Sequence, residues 1–159
     1  MTDITGHVLG IYLQPAQRTL PQPVPAAQAL VGHGLDGDVH GKKRPGDPRQ
    51  VLIVDIATLR RFDLHPGDLR EQIVVDFPPL ERLPAGTRLR ISEVTFELTG
   101  PCEPCTHIGK TLAVDDTVQF QQALQGRRGQ LARVIAADGD GMIRVGDPVA
   151  ATSLAALTG

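Results

Sequence analysis

Residues 88–101 read Arg88-Leu89-Arg90-Ile91-Ser92-Glu93-Val94-Thr95-Phe96-Glu97-Leu98-Thr99-Gly100-Pro101, and apolar side chains alternate with polar ones on both sides of Ser92-Glu93. Strict alternation is the period of a strand with one buried face. Two such runs with only two residues between them indicate an antiparallel hairpin. The stretch therefore predicts that the fold is built on a β-hairpin.

The run that follows the hairpin holds both cysteines of the chain: Thr99-Gly100-Pro101-Cys102-Glu103-Pro104-Cys105-Thr106-His107. A strand end on a proline-stiffened loop presents a sulfur at a fixed angle, so we expect the chemistry here. Three interpretations stay open from the residues alone: a Cys-x-x-Cys redox couple, a zinc site with His107, and two small buried hydrophobes. The absence of a second cysteine pair disfavours zinc, and the loop setting disfavours the redox couple. Basic residues elsewhere in the sequence favour Cys105 as a reactive thiolate.

The composition limits the classes of function. A length of 159 residues with 41% hydrophobic side chains predicts one domain, residues 1–159, with an aliphatic core. The net charge of -2 gives no reason to expect nucleic acid or a membrane surface as a partner. The chain shows no spanning apolar run and no secretory leader, and two cysteines make no disulfide framework. We therefore expect a cytoplasmic protein with reduced thiols.

Short apolar runs predict further strands, and polar caps predict short helices. The strands are expected at residues 6–13, 50–54, 73–75, 131–135 and 142–145, the last two as a pair across Asp138-Gly139-Asp140-Gly141. Asp55 is the expected N-cap of a helix over 56–62, and Asp116 that of a helix ending at Leu124. The prolines between residues 15 and 25 predict an extended connection without regular structure. Many short strands with two short helices indicate a mainly β, barrel-like domain.

Charged loops supply candidate binding residues. Glycines flank Arg127 and Arg128, so an anion can approach the backbone while guanidinium groups grip its oxygens, and Arg49 precedes a buried strand. In a glycine-rich loop, Asp38 and His40 point the same way if the chain is extended, as a metal-binding or proton-handling pair would. We expect Arg49, Arg127, Arg128 and His40 to line one pocket with Cys105. We also expect residues 32–48 to form a mobile lid over it. The Asp-Gly repeat lacks the glutamate of a calcium loop.

Six runs, in order along the chain, resemble the MOSC domain, the module named after the C-terminal part of molybdenum cofactor sulfurase. They are Gly34-Leu35-Asp36-Gly37-Asp38-Val39-His40, Arg49-Gln50-Val51, Leu69-Arg70-Glu71-Gln72-Ile73-Val74, Leu83-Pro84-Ala85-Gly86-Thr87, Thr99-Gly100-Pro101-Cys102-Glu103-Pro104-Cys105 and Ile143-Arg144-Val145-Gly146-Asp147-Pro148-Val149. No single run is specific, but the ordered set covers nearly the whole chain. The sequence thus resembles a stand-alone, bacterial-type member of that family.

The resemblance implies a MOSC-type β-barrel, similar to the barrel domain of pyruvate kinase, with a few short helices. It also implies that Cys105 is the functional cysteine, which carries sulfur or ligates the molybdenum of a pterin cofactor, with Cys102 as an auxiliary catalytic cysteine of a subgroup. The expected cofactor-binding residues are Asp38, His40, Arg49, Glu71, Arg127 and Arg128. Two positions depart from the family pattern, because Val39 stands where arginine is common and Gln72 stands where asparagine is common.

Two functions follow from this resemblance: reduction of N-oxygenated substrates with molybdenum bound through Cys105, and sulfur transfer by a Cys105 persulfide. The alternatives are a non-catalytic module that binds an anion or a pterin, and a Cys-x-x-Cys thiol redox protein. By the same resemblance, we expect these 159 residues to contain neither the N-terminal barrel domain of the larger molybdenum reductases nor the pyridoxal-phosphate domain of the sulfurases. We therefore expect a pyridoxal-phosphate cysteine desulfurase or an electron-donor protein as its partner.

Overall fold

The structure is a computed structural model that describes residues 5–39, 45–103, 109–110 and 112–151. Its helices are α1 (Ile56–Arg61) and α2 (Thr117–Leu124), and Pro78–Arg82 form a 3₁₀ helix. Its strands are β1 (Thr5–Leu13), β2 (Gln22–Val24), β3 (Ala26–Leu30), β4 (Gly34–Leu35), β5 (Val51–Asp55), β6 (Ile73–Asp76), β7 (Arg88–Ile91), β8 (Val94–Pro101), β9 (Gln130–Ala137), β10 (Met142–Arg144) and β11 (Pro148–Ala151). No helix within the described ranges is long and apolar enough to cross a membrane.

Seven of the described strands close into a barrel in the order β11-β7-β8-β9-β5-β6-β1, because β1 pairs with β11 as well as with β6. Only β5 and β6 run parallel among these neighbours, and α1 supplies the crossover that a parallel pair requires. β2 extends the sheet beside β1, and β10, β3 and β4 form a smaller sheet. The prediction of a mainly β barrel with a few short helices is confirmed.

The hairpin of β7 and β8 forms as its sequence predicts. Ile91 is opposite Val94 and Arg88 is opposite Glu97, so the two apolar sets share one face. The five apolar side chains that alternate along residues 89–98 are fully buried, at 0% exposure. Ser92 takes a positive φ of 54°, the left-handed conformation that a two-residue connection between twisted strands needs.

Two apolar clusters lie on the two faces of the barrel wall. The inner cluster holds the alternating residues of each strand, such as Ile53, Val75 and Phe96. The outer cluster contains Leu52, Val54, Leu59, Leu69, Val74, Cys102 and Leu124, and α1 and α2 pack against it. β5 is therefore buried at all five positions, which is why its first four residues are continuously apolar rather than alternating. The outer cluster also fixes the segment that carries the first cysteine.

Both helix caps form as predicted. Asp55 Oδ2 accepts a hydrogen bond of 2.9 Å from the Ala57 amide, and Asp116 Oδ1 accepts one of 3.0 Å from the Gln119 amide. The Asp55 carboxylate does more than cap α1, because Oδ1 also accepts from the Phe77 amide at 2.6 Å. One buried side chain thus ties the start of α1 to the residue that follows β6.

Two predictions of local structure are wrong. β10 pairs with β3, not with the strand at residues 131–135, because β9 already has β8 and β5 on its two sides. The Asp138–Gly141 segment does turn, with the Gly141 amide donating to the Asp138 carbonyl, but it carries the chain to another sheet. The proline-rich connection also contains a strand, since Pro23 in β2 pairs opposite Tyr12 at the sheet edge, where a missing N–H is tolerated.

Candidate functional site

The first cysteine is a packing residue of the barrel wall. The Cys102 side chain is 3% exposed and lies among the outer cluster of leucine and valine side chains. Its backbone amide donates to the Gly129 carbonyl at 3.0 Å, which continues the contact of β8 with β9 past Pro101. The expected catalytic role of Cys102 stays a prediction, and this burial favours the structural interpretation. Cys105 and His107 lie outside the described residues.

Arg128 joins residues 102–103, named here the cysteine segment, to the loop before β6. Its Nη1 donates to the Glu103 carbonyl and its Nη2 to the Leu69 carbonyl, each at 3.3 Å. Its Nε is buried and has no hydrogen-bond partner within the described part of the chain. Arg127 beside it is exposed. The two adjacent arginines therefore have different environments, one turned into the cysteine segment and the other toward solvent.

A close backbone approach makes this arrangement possible. Gly129 follows Arg128 with a φ of 96°, and a Cβ there would overlap the carbonyl oxygen of Ile53 in β5. Only glycine accepts both the positive φ and the contact. Gly126 also has a positive φ, of 73°, but a Cβ there would meet nothing within 4 Å. The two glycines that frame the arginines thus serve different purposes.

Glu71 is buried at 0% exposure in the loop before β6. Its Oε2 accepts from the Gly67 amide at 2.9 Å and its Oε1 from the Leu69 amide at 3.1 Å. Burial, with a smaller contribution from the charge of Asp68, raises the pKa of Glu71 from 4.5 to about 7, although the backbone hydrogen bonds oppose the shift. The pKa of Tyr12 is also raised, by burial and then by the Glu71 charge. Glu71 is therefore a carboxyl group that exchanges its proton near neutral pH.

Gln72 holds three strands together. Its Oε1 accepts from the Leu52 amide at 2.7 Å, and its backbone carbonyl accepts from the Tyr12 amide at 2.8 Å. The side chain is 2% exposed. Gln72 therefore stabilises the junction of β1, β5 and β6.

The start of the glycine-rich loop is fastened to the end of β1. Asp38 is 3% exposed and its Oδ1 accepts from the Gln14 amide at 2.8 Å, while the Val39 amide donates to the Gln14 carbonyl at 2.7 Å. Leu35 is fully buried in the inner cluster. His40 lies outside the described residues, so the pairing of Asp38 with His40 and the lid formed by residues 32–48 stay predictions.

Arg49 is exposed just before β5 and beside the end of β8. Its backbone amide donates to Asp47 Oδ1 at 2.7 Å, and the Thr99 hydroxyl donates to the Pro48 carbonyl at 2.5 Å.

The structure brings Cys102, Arg128 and Glu71 together through shared backbone contacts. It places Arg49 next to the strand that leads into the cysteine segment, and Asp38 at the end of β1.

The connection between Glu71 and Arg128 was not predicted from the sequence. The available signal was the dipeptide Pro66-Gly67, which is typical of a turn. In the structure the Asp68 amide donates to the His65 carbonyl at 3.0 Å. Among the described residues, no three His, Cys, Asp or Glu side chains are grouped as a metal site.

A surface cavity of about 340 Å³ lies apart from the cysteine segment, at the start of α1. Its lining includes Asp55, Thr58, Arg61, Glu81 and Arg82.

The comparisons with known proteins agree with this architecture. The family model of the MOSC domain matches residues 40–150, so the chain belongs to the MOSC domain family. Among solved structures, the YuaD protein from Bacillus subtilis is similar with a TM-score of 0.77 and 20% identity, over 93% of this chain and 96% of that chain.

Two further structures share the fold at greater distance. YiiM from Escherichia coli has a TM-score of 0.65 and 20% identity, over 92% of this chain and 70% of that chain. YiiM from Geobacillus stearothermophilus has a TM-score of 0.65 and 12% identity, over 92% of this chain and 75% of that chain. At these identities the likeness shows the fold alone. A comparison with curated proteins finds no relative of similar sequence.

Proposed function

We propose that this chain acts as a single MOSC domain in the cytoplasm and that Cys105 is its functional sulfur, working on the molybdenum cofactor. The observation that carries the proposal is the anchoring of the segment before Cys105: Cys102 is buried in the wall, and the Glu103 carbonyl is held by Arg128. A segment fixed at Cys102 and at the Glu103 carbonyl suits the presentation of the next cysteine to a bound partner.

The described residues fit an anionic cofactor. Arg128 keeps a buried Nε–H that no described group accepts, and a buried donor without a partner is costly unless a ligand supplies the acceptor. Exposed Arg127 adds a second positive charge next to it. In this proposal Arg128 holds a phosphate or pterin oxygen, and Cys105 supplies the soft ligand that molybdenum prefers. When bound, the cofactor would supply two-electron chemistry at molybdenum.

Sulfur transfer is the version of this function that the anchored segment supports best. The Cys105 thiolate would attack the outer sulfur of a persulfide on a pyridoxal-phosphate cysteine desulfurase. A new S–S bond forms on Cys105, the donor S–S bond breaks, and the donor leaves as its thiolate. Reduction of N-oxygenated substrates, with electrons from a donor protein, is the second candidate, and it is favoured by the same soft thiolate. Burial of Cys102 speaks against a Cys-x-x-Cys redox couple, because exchange requires access to both sulfurs.

The test is to load and analyse the protein under anaerobic conditions. Wild type, Cys105→Ser and Cys102→Ala proteins are purified anaerobically, and molybdenum, pterin and cyanide-releasable sulfur are quantified per chain. We expect sulfur or molybdenum in wild type and Cys102→Ala, and neither in Cys105→Ser. Releasable sulfur without molybdenum identifies the carrier, whereas stoichiometric molybdenum identifies the reductase. Equal content in all three proteins would exclude Cys105 as the functional sulfur, and pterin bound equally without either would indicate the non-catalytic module.

A further inference from the structure

A chain of contacts runs from a buried carboxyl group to the cysteine segment. The first contact is within the loop of residues 65–70, named here the acidic turn. Glu71 receives the amides of Gly67 and Leu69, and the Arg70 amide donates to the Gly67 carbonyl at 2.9 Å. Both carboxylate oxygens of the fully buried Glu71 are thus hydrogen-bonded to backbone amides of the acidic turn.

The second contact leaves the acidic turn for Arg128. The Leu69 amide donates a hydrogen bond to Glu71, and the Leu69 carbonyl accepts one from Arg128 Nη2 at 3.3 Å. The third contact is from Arg128 Nη1 to the Glu103 carbonyl, also at 3.3 Å. Both bonds are at the long end of the range for N–H···O hydrogen bonds, so a small shift of the acidic turn breaks the bridge.

We propose that Glu71 is a positioning residue that controls, through the acidic turn and Arg128, how firmly residues 102–103 are held ahead of Cys105. The inference rests on the proposed function only in taking Cys105 as the functional sulfur. Its influence on residues 102–103 passes through the Leu69 carbonyl and the guanidinium of Arg128.

The direction of the control follows from proton linkage. The closed acidic turn favours protonated Glu71, whose pKa is raised by burial to about 7, whereas an opened turn returns the group toward 4.5. Raising the pH therefore favours opening, and from about pH 6 to about pH 8 the open fraction increases about tenfold. Residues 102–103 are therefore held more firmly below neutrality than above it.

The other charged groups around Glu71 leave this direction unchanged. Asp68 raises its pKa further, and the Arg70 guanidinium is directed away, to the Thr19 carbonyl at 3.1 Å. His65 pairs with Asp68 at 3.8 Å. Within the described ranges, the titratable and charged groups that face the acidic turn are Tyr12 from β1, His65, Asp68 and Arg70 of the loop itself, and Arg128 from the segment before β9.

The experiment is amide hydrogen exchange on the ligand-free chain, with protection factors corrected for intrinsic exchange at each pH. In wild type we expect protection of the Leu69 and Cys102 amides to fall together, about tenfold, from about pH 6 to about pH 8. Glu71→Gln should make both profiles flat. Arg128→Met should keep the pH dependence at Leu69 and remove it at Cys102. The matched control Asp68→Asn removes the neighbouring carboxylate and should keep both dependences.

The exchange profiles of the wild-type protein are sufficient to refute the proposal, so the test does not depend on every variant folding. A flat profile at Leu69 would show that Glu71 does not govern the acidic turn. A pH-dependent Leu69 beside a flat Cys102 would show that Arg128 does not transmit the change. Neither result depends on molybdenum or sulfur content, so failure of the proposed function is recognised separately by the cofactor analysis.

Discussion

Replacement of Asp55 by alanine tests the junction on which the β5–α1–β6 crossover depends. The 3% exposed carboxylate accepts two backbone amides, Ala57 in the first turn of α1 and Phe77 after β6. Loss of the helix cap costs about 1 kcal/mol, and an unsatisfied buried amide costs about 1–3 kcal/mol more. We therefore expect Asp55→Ala to lower the free energy of unfolding by about 3 kcal/mol, a large part of the total for a domain of this size.

Asp116→Ala is the matched control, because Asp116 caps α2 through a single bond to Gln119 and is exposed. It should cost about 1 kcal/mol. The free energies come from urea denaturation followed by circular dichroism, with the slopes checked to be equal. Asp55→Ser should recover the share due to the cap and leave the share due to Phe77. Equal losses for Asp55→Ala and Asp116→Ala would refute the argument, since the buried second bond would then contribute nothing.

Three further outcomes follow from single contacts. Because burial raises the pKa of Glu71 from 4.5 to about 7, its contribution to stability is fully present below pH 4.5 and is lost as the pH rises through 7. Wild type should thus lose about 2 kcal/mol relative to Glu71→Gln between about pH 5.5 and about pH 8, measured by urea denaturation. Gly129→Ala should destabilise by more than about 2 kcal/mol, since its Cβ meets Ile53, while Gly126→Ala should cost about 1 kcal/mol in the same assay. Cys102→Ala should cost about 1–2 kcal/mol through lost packing, and unchanged stability would contradict its place in the core.

The elements that the sequence predicts well are those whose signal is local. In the hairpin of residues 88–98, the alternation of apolar side chains and the two-residue connection predict the register, and the structure pairs Ile91 with Val94 as expected. Asp55 and Asp116 are caps because a carboxylate reaches only the next two or three amides. In each case the partner lies within a few residues, so tertiary structure has little to add.

Strand partners across the chain could not be derived in the same way. β10 pairs with β3, and the paired residues Met142 and Gln28 are more than 100 positions apart in sequence. The sequence of β3, Ala-Ala-Gln-Ala-Leu, is only weakly apolar. The nearer candidate, β9, is unavailable only because β5 and β8 occupy both its edges. Occupancy of an edge is a property of the closed barrel and leaves no mark in the local pattern of either strand.

The same distinction explains which site residues the sequence could name. Glycines on both sides predicted that Arg127 and Arg128 bind an anion, but nothing in that pattern separates them. The barrel does so: Arg128 reaches a carbonyl 59 residues away in sequence, at Leu69, because Gly129 brings its backbone against Ile53. Leu69 is held in turn by packing in the outer cluster. The position of Arg128 beside residues 102–103 is therefore a consequence of how the barrel wall packs, and a change in that packing should weaken the hold of Arg128 on the Glu103 carbonyl.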